Sequence, residues 1–173
     1  MSSLKIGARE RLMVEVGKEL SNRGNVVRFV FIGGDKKIGK LLGPFLPITN
    51  LIGWTNQVPL LRNINKLKLF LGIWSLRNFL RKEKPDVLIA VSIPPSITVL
   101  IAKILANSET KIIVRQSNVI KLANVSEFSK VKRRLRDFII PFLYKKADGF
   151  IAVSEGVKSN LKYLLGHDNN IEV

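Results

Sequence analysis

The sequence predicts an α/β fold, a doubly wound, Rossmann-like and mostly parallel sheet formed by one domain over residues 1–173. Three observations predict it. Amphipathic helical segments alternate with short β-branched runs. The Val87–Val91 run is near-continuously apolar, as in a parallel strand covered on both faces. Glycine or proline stands where the clearest helices hand over to strands, at Gly24 and Pro85.

Each element follows in order. Leu12, Val16 and Leu20 recur at four-residue spacing and predict a helix over Glu10 to Arg23, which Gly24 stops in a left-handed cap. Val26 to Ile32 is a β-branched and aromatic strand run, closed by Gly33-Gly34-Asp35. Residues 35–60 carry prolines and glycines and leave room for one short strand near Phe45 to Ile48. From Lys66 to Arg81 a stripe of Leu69, Ile73, Leu76 and Leu80 predicts a helix with Phe70 and Trp74 beside the stripe and Lys68, Gly72, Ser75 and Lys82 opposite. Pro85 ends it, and Val87 to Val91 is a strand.

Pro94-Pro95 reads as a turn, followed by a helix over Ile97 to Leu105 and a strand over Lys111 to Val114. Val131, Leu135, Phe138 and Phe142 form another helical stripe, which Pro141 is expected to kink. Gly149 to Val153 is the last strand, and Ser154 is placed to cap a helix through Leu165. A doubly wound domain normally begins with a strand, yet Met1 to Leu4 is too short to supply one. Either the first strand is missing or the sheet is organised differently.

With 173 residues, 46% of them hydrophobic, the chain can bury a sizeable core. The absence of cysteine excludes a disulfide scaffold, a thiolate nucleophile and Cys-ligated metals, and a single histidine excludes a His-based metal cluster. The formal charge is +16, from 29 cations and 13 anions. It is densest in two segments of helical periodicity, residues 61–84 and 113–137, so the cations decorate folded surfaces and do not form a disordered arm. Met1 to Glu10 lacks the apolar core of a secretory signal and carries Lys5 and Arg9, which points to a cytoplasmic chain. The uncharged run Leu41 to Leu61 is broken by Pro44, Pro47 and Pro59 and is not expected to span a membrane.

Three motifs carry a resemblance. Ser2-Ser3-Leu4-Lys5-Ile6-Gly7-Ala8-Arg9-Glu10-Arg11, with the following helix ending in Asn22-Arg23-Gly24-Asn25-Val26-Val27, resembles the opening of family 4 glycosyltransferases. Lys84-Pro85-Asp86-Val87 is similar to that family's strand entry, and Ala147-Asp148-Gly149-Phe150-Ile151-Ala152-Val153-Ser154 to its Ala-Asp strand and cap. In this order the motifs cover essentially the whole chain. The resemblance implies the N-terminal, acceptor-side domain of a GT-B enzyme that retains configuration while moving a sugar from a nucleotide-sugar to a glycan or polyprenyl-diphosphate-linked acceptor. No cofactor is implied beyond the nucleotide-sugar substrate. The donor-binding C-terminal domain is expected to be absent, and the isolated chain to be inactive.

The same resemblance names the candidate substrate-binding residues. A glycine turn entering a helix offers free amides and the positive end of the dipole to a diphosphate or anionic acceptor. Gly7 would permit close approach and Arg9 would add a charged contact, although Ala8 and Arg9 depart from the family's glycine and alanine. The bland alternative is a tight turn with Arg9 in solvent. Ser117 stands where the family often has histidine or arginine, followed by a matching Asn118; serine can hydrogen-bond a sugar hydroxyl but supplies no charge. Ser92 ends the preceding strand and is a candidate because ligands of open α/β sheets gather beyond the strands' carboxyl ends. No nucleophile–base pair can be assembled, and His167 is given no role.

The two basic segments suit an anionic membrane surface, on which the protein would lie peripherally at the inner face. Two other readings compete. A nucleic-acid-binding module fits the pI near 10.4 and the run Lys130, Lys132, Arg133, Arg134, Arg136, but no aromatic side chains interleave with those cations for stacking. A non-catalytic subunit of a split transferase is the third.

Overall fold

A computed structural model of the chain describes residues 8–32, 47–52, 65–120, 138–166 and 170–173. In it the fold is α/β, and every paired strand is parallel. The chain divides after Ser75 into two compact units.

The first unit begins with helix α1, Ala8–Asn22, which starts two residues before the predicted Glu10. Gly24 takes φ +85° as expected of a left-handed stop, and the Asn25 side-chain amide donates to the Leu20 carbonyl at 2.9 Å to close the helix end. The helix does not bury the predicted Leu12–Val16 stripe. Leu12 and Val16 are exposed, while Val14 and Gly17, one turn apart, are buried. Strand β1 is only Phe29–Phe31, since Val26 is fully exposed, and it pairs with β2, Ile48–Asn50, which begins where the short strand near Phe45–Ile48 was expected to end.

Helix α2, Asn65–Glu83, crosses from the first unit into the second. Gly72 stands on the polar side of the sequence pattern but is buried. A Cβ added there would lie 2.6 Å from the Cγ2 of Ile32, so glycine is what lets the helix lie against the end of β1. Phe70 and Trp74 stack on each other and stay exposed.

The second unit is a four-stranded sheet in sequential order: β3, Val87–Val91; β4, Lys111–Gln116; β5, Gly149–Ala152; and β6, Ile171–Glu172. Between the strands run α3, Ile93–Ala106, a helical stretch α4 over 138–144, and α5, Glu155–Leu165. Pro94 and Pro95 belong to the first turn of α3 rather than to a preceding turn, because the first helical turn has no intrahelical donors to lose. In α4 the buried residues are Ile140, Leu143 and Tyr144, whereas Phe138 and Phe142, predicted on the core stripe, stack on each other in solvent. Val131 and Leu135 lie outside the described residues.

Register explains the core. Ala90, Val114, Phe150 and Ile171 form one row across all four strands, and all four are buried, with Leu76, Leu80, Leu100, Leu161 and Leu165 of the helices also in the core. The opposite row, Val91, Arg115, Ile151 and Glu172, is mixed in polarity and less buried. Thus β3 is not covered on both faces as expected. Only Ala90 is fully buried, and Val87 is exposed.

At the amino ends of the strands, Asp148 acts as a clamp. Its Oδ2 accepts from Lys103 Nζ of α3 and from the Ile112 amide of β4, both at 2.7 Å, and its own amide donates to the Ile112 carbonyl at 2.8 Å. Partial burial works to raise the carboxyl pKa, but these two hydrogen bonds and the charges of Lys103 and Lys111 outweigh it, so the group titrates below its ordinary range. The Ala-Asp motif therefore has a structural role at the end of the sheet remote from the strands' carboxyl termini.

Candidate functional site

Parallel pairing places the carboxyl ends of β3, β4 and β5 along one rim. Ser92, Ser117 and Asn118 come together there, because Val91 registers with Arg115 and the Ser92 amide donates to the Arg115 carbonyl at 3.2 Å. Gly7 lies outside the described residues. Ala8 and Arg9 are the first two residues of α1, not part of a turn before it, and their side chains lie outside the described positions.

Ser92 is half-buried at the turn from β3 into α3, with φ +77° and ψ +161°. That region suits glycine almost alone, and a serine there costs about 1–3 kcal/mol. Its hydroxyl does not cap the helix. Instead the Ser92 carbonyl accepts from both the Ser96 amide (3.1 Å) and the Ser96 hydroxyl (2.7 Å). The strained turn is thus fixed by Ser96, which is completely buried.

One strand over, Arg115 and Gln116 end β4, two residues later than the sequence predicted. Arg115 points to the half-buried side of the sheet and donates through Nη1 to the Ser117 hydroxyl at 3.0 Å. Gln116 points the opposite way and is only 2% exposed. Its Nε2 donates to the Asn118 carbonyl at 2.7 Å, while its Oε1 accepts from the Tyr144 hydroxyl at 3.4 Å. Tyr144 also shares a hydrogen bond with Ser96, and burial pushes its phenol up to about 12 against the lowering effect of that bond. A buried polar chain therefore joins the two candidate turns: Ser92 carbonyl, Ser96, Tyr144, Gln116, Asn118 carbonyl. From the other side, Asn160 of α5 accepts from the Ile120 amide at 2.7 Å, which holds the loop after β4 at a second point. Ser117 and Asn118 thus sit on a loop tied at both ends, with Asn118 exposed.

Arg115, Gln116, Tyr144 and Ser96 were not among the predicted site residues. A signal for Gln116 was present: it continues the buried alternation of Ile112 and Val114, and a polar residue in a core register needs polar partners. Ser96 and Tyr144 are distant in sequence, and nothing local announces them.

The electrostatics of the rim are set by what the helix ends withhold. Pro94 and Pro95 remove two amides from the start of α3, and at α5 the Ser154 hydroxyl takes the Val157 amide at 3.4 Å while Glu155 places a negative charge in the first turn. Neither helix start is arranged as an anion cradle. Among the described residues the cation of the rim is Arg115, bonded to the Ser117 hydroxyl, while Ser92 and Asn118 on the adjoining turns carry a hydroxyl and an amide of the kind that bonds sugar hydroxyls. Among the described residues no cluster of histidine, aspartate or glutamate could hold a metal ion.

Residues 10–173 match the family described as Glycosyltransferase Family 4. No curated protein sequence matches the chain.

Proposed function

The chain belongs to glycosyltransferase family 4, and from that premise we propose that its strand rim binds and orients the acceptor while a second domain holds the nucleotide-sugar. The observation that carries this reading is the polar row Ser92, Arg115, Ser117 and Asn118 on turns made rigid from beneath by Ser96, Tyr144 and Gln116. Prefixed hydroxyl and amide groups suit recognition of a hydroxylated substrate, and orienting an acceptor hydroxyl is itself a large share of such catalysis. In the transfer, the bond between the anomeric carbon and the leaving diphosphate breaks. The acceptor oxygen bonds to that carbon with configuration retained, and its proton leaves with the diphosphate. None of the rim residues is a general base, so their work is positioning and electrostatic stabilisation.

Arg115 favours an acceptor bearing phosphate close to the reacting hydroxyl, as a polyprenyl-diphosphate-linked sugar does. Membrane proximity is supported in each unit separately. The exposed pair Phe70–Trp74 lies in the basic segment 61–84, and the exposed pair Phe138–Phe142 directly follows the basic segment 113–137. Aromatic rings beside cations are the composition of an interfacial contact with anionic lipid. Among the described residues no helix is long and apolar enough to cross a membrane.

The test is to titrate the 15N-labelled chain with farnesyl diphosphate, a soluble polyprenyl-diphosphate probe, and separately with UDP-glucose. Farnesyl diphosphate is expected to shift the amide signals of residues 115–118, with Arg115→Ala weakening binding at least tenfold, and the chain alone is expected to turn over no nucleotide-sugar. Stronger shifts of the same signals by UDP-glucose would reassign the rim to the donor.

A further inference from the structure

The buried chain beneath the rim has fewer protons than contacts to fill. Three contacts run in series from one turn to the other: Ser92 carbonyl to Ser96 hydroxyl, Ser96 hydroxyl to Tyr144 hydroxyl, and Tyr144 hydroxyl to Gln116 Oε1. Both end groups are carbonyl oxygens, which only accept. Gln116 does not turn its amide over to supply a donor, because its Nε2 is committed to the Asn118 carbonyl at 2.7 Å. The two hydroxyls therefore bring two protons to these three contacts. Burial pushes the Tyr144 phenol up to about 12, so the count does not change around neutral pH.

The shortfall is shared unequally. The Ser96 hydroxyl donates to Ser92 at 2.7 Å, within the ordinary range for a hydroxyl donor, whereas the Tyr144 hydroxyl stands 3.4 Å from Gln116 Oε1, beyond it. Drawing both ends tight would set the Ser96 and Tyr144 oxygens lone pair to lone pair, and both residues are completely buried. The phenolic O–H decides between the ends. Packing holds the Tyr144 ring, which lies against Phe150 with centroids 5.8 Å apart, while the hydroxyl, conjugated with that ring, has two resting positions in its plane. With the phenolic proton toward Ser96, the Ser96 proton goes to Ser92. With it toward Gln116, Ser96 turns its proton onto the phenolic oxygen, and the Ser92 carbonyl keeps only the Ser96 amide at 3.1 Å.

We propose that Tyr144 is a positioning residue that couples the two turns of the rim in opposition: its hydroxyl steadies either the Ser92 turn through Ser96 or the Asn118 turn through Gln116, one at a time. In the structure the Ser92 end is taut and the Gln116 end slack. A ligand that fixes the Asn118 turn draws the Gln116 end tight and slackens Ser92, by as much as its affinity distinguishes the two arrangements. As regulation of acceptor binding, this inference rests on the reading of the rim given above. The coupling itself does not, so it is measured without ligand.

The experiment is Ser96→Ala in the 13C,15N-labelled chain. The variant leaves Gln116 Oε1 as the one acceptor of this chain for the Tyr144 proton. The Gln116 Cδ signal is expected to move downfield, and exchange of the Gln116 side-chain amide to slow about threefold. A serine that merely packs would leave both unchanged, or speed exchange by loosening its surroundings. In a Tyr144→Phe background, Ser96→Ala is expected to have no such effect; if that background does not fold, the direction of the change in Ser96→Ala alone decides the matter. The proposal is overturned by a Gln116 Cδ signal that stays or moves upfield, by faster side-chain exchange, or by the same response with and without the Tyr144 hydroxyl. Farnesyl diphosphate added to the wild type is then expected to move the signals of residues 115–118 and, in step, the Ser92 carbonyl carbon upfield. Shifts at 115–118 with the Ser92 carbonyl unmoved would overturn the regulatory role. No shift at all would count against the acceptor reading alone, the exchange data having decided the coupling.

Discussion

Ser92 concentrates, in one residue, a conflict between stability and placement. Its φ of +77° is the conformation of a glycine, yet the position carries a hydroxyl at the strand rim. Ser92→Gly is expected to relieve strain and, after the entropic cost of glycine, stabilise the second unit by about 1 kcal/mol. The same change removes the hydroxyl, so binding of the acceptor probe should weaken several-fold. Thermal denaturation and the farnesyl diphosphate titration measure the two effects on one variant. A variant that is both less stable and unaltered in binding would show that neither the strain nor the hydroxyl acts as described. Gln116 shows the complementary case. Buried and bonded at both ends, it fixes the Asn118 carbonyl that shapes the neighbouring turn.

At the scale of elements, the Asp148 clamp joins three of them: α3 through Lys103, β4 through Ile112, and the entry to β5 through its own backbone. Since the folded carboxyl titrates below its ordinary pKa of about 3.9, the clamp's contribution is fully present above that value and is lost as pH falls through the lower folded value. Asp148→Asn is expected to cost about 1–2 kcal/mol at neutral pH, a figure reduced for the partial exposure of the pair. The gap in melting temperature between wild type and variant should close from pH 5 down to pH 2. A gap independent of pH would remove the charge from the explanation. Helices and strands of this unit were readable where punctuation was strong: β3 between Pro85 and Ser92, and α5 between its Ser154 cap and Gly166, have the predicted limits. The start of α3 was hidden because Pro94-Pro95 signals a break in sequence but is harmless in a first helical turn. The end of β4 was hidden because Arg115 and Gln116 are polar, and only the neighbouring strands give them a place in the ladder. The exposed faces of α1 and α4 show the same limit, since periodicity announces an apolar stripe without saying what lies against it.

For the whole molecule, the +16 charge is long-ranged and nonspecific, whereas the exposed aromatic pairs are short-ranged and local. Together they predict binding to phosphatidylglycerol vesicles that falls steeply as salt screens the charges, with little binding to phosphatidylcholine. Replacing Phe138 and Phe142 together by Ser is expected to reduce vesicle co-sedimentation several-fold at fixed salt, with little loss of stability because both rings are exposed. Equal recovery on neutral and anionic vesicles would remove the membrane from the account, and retention of nucleic acid on a filter at the same salt would put a polyanion other than lipid in its place. The rim and the clamp occupy opposite ends of the same strands. Lys111 and Gln116 bound β4, five steps apart, which at about 3.3 Å per residue is about 17 Å. That is roughly twice the distance over which exposed charges are felt at physiological salt. Mutations that retune what the rim recognises can therefore accumulate without drawing on the clamp. A lineage carrying this scaffold is free to vary its rim while inheriting the opposite end of its strands unchanged.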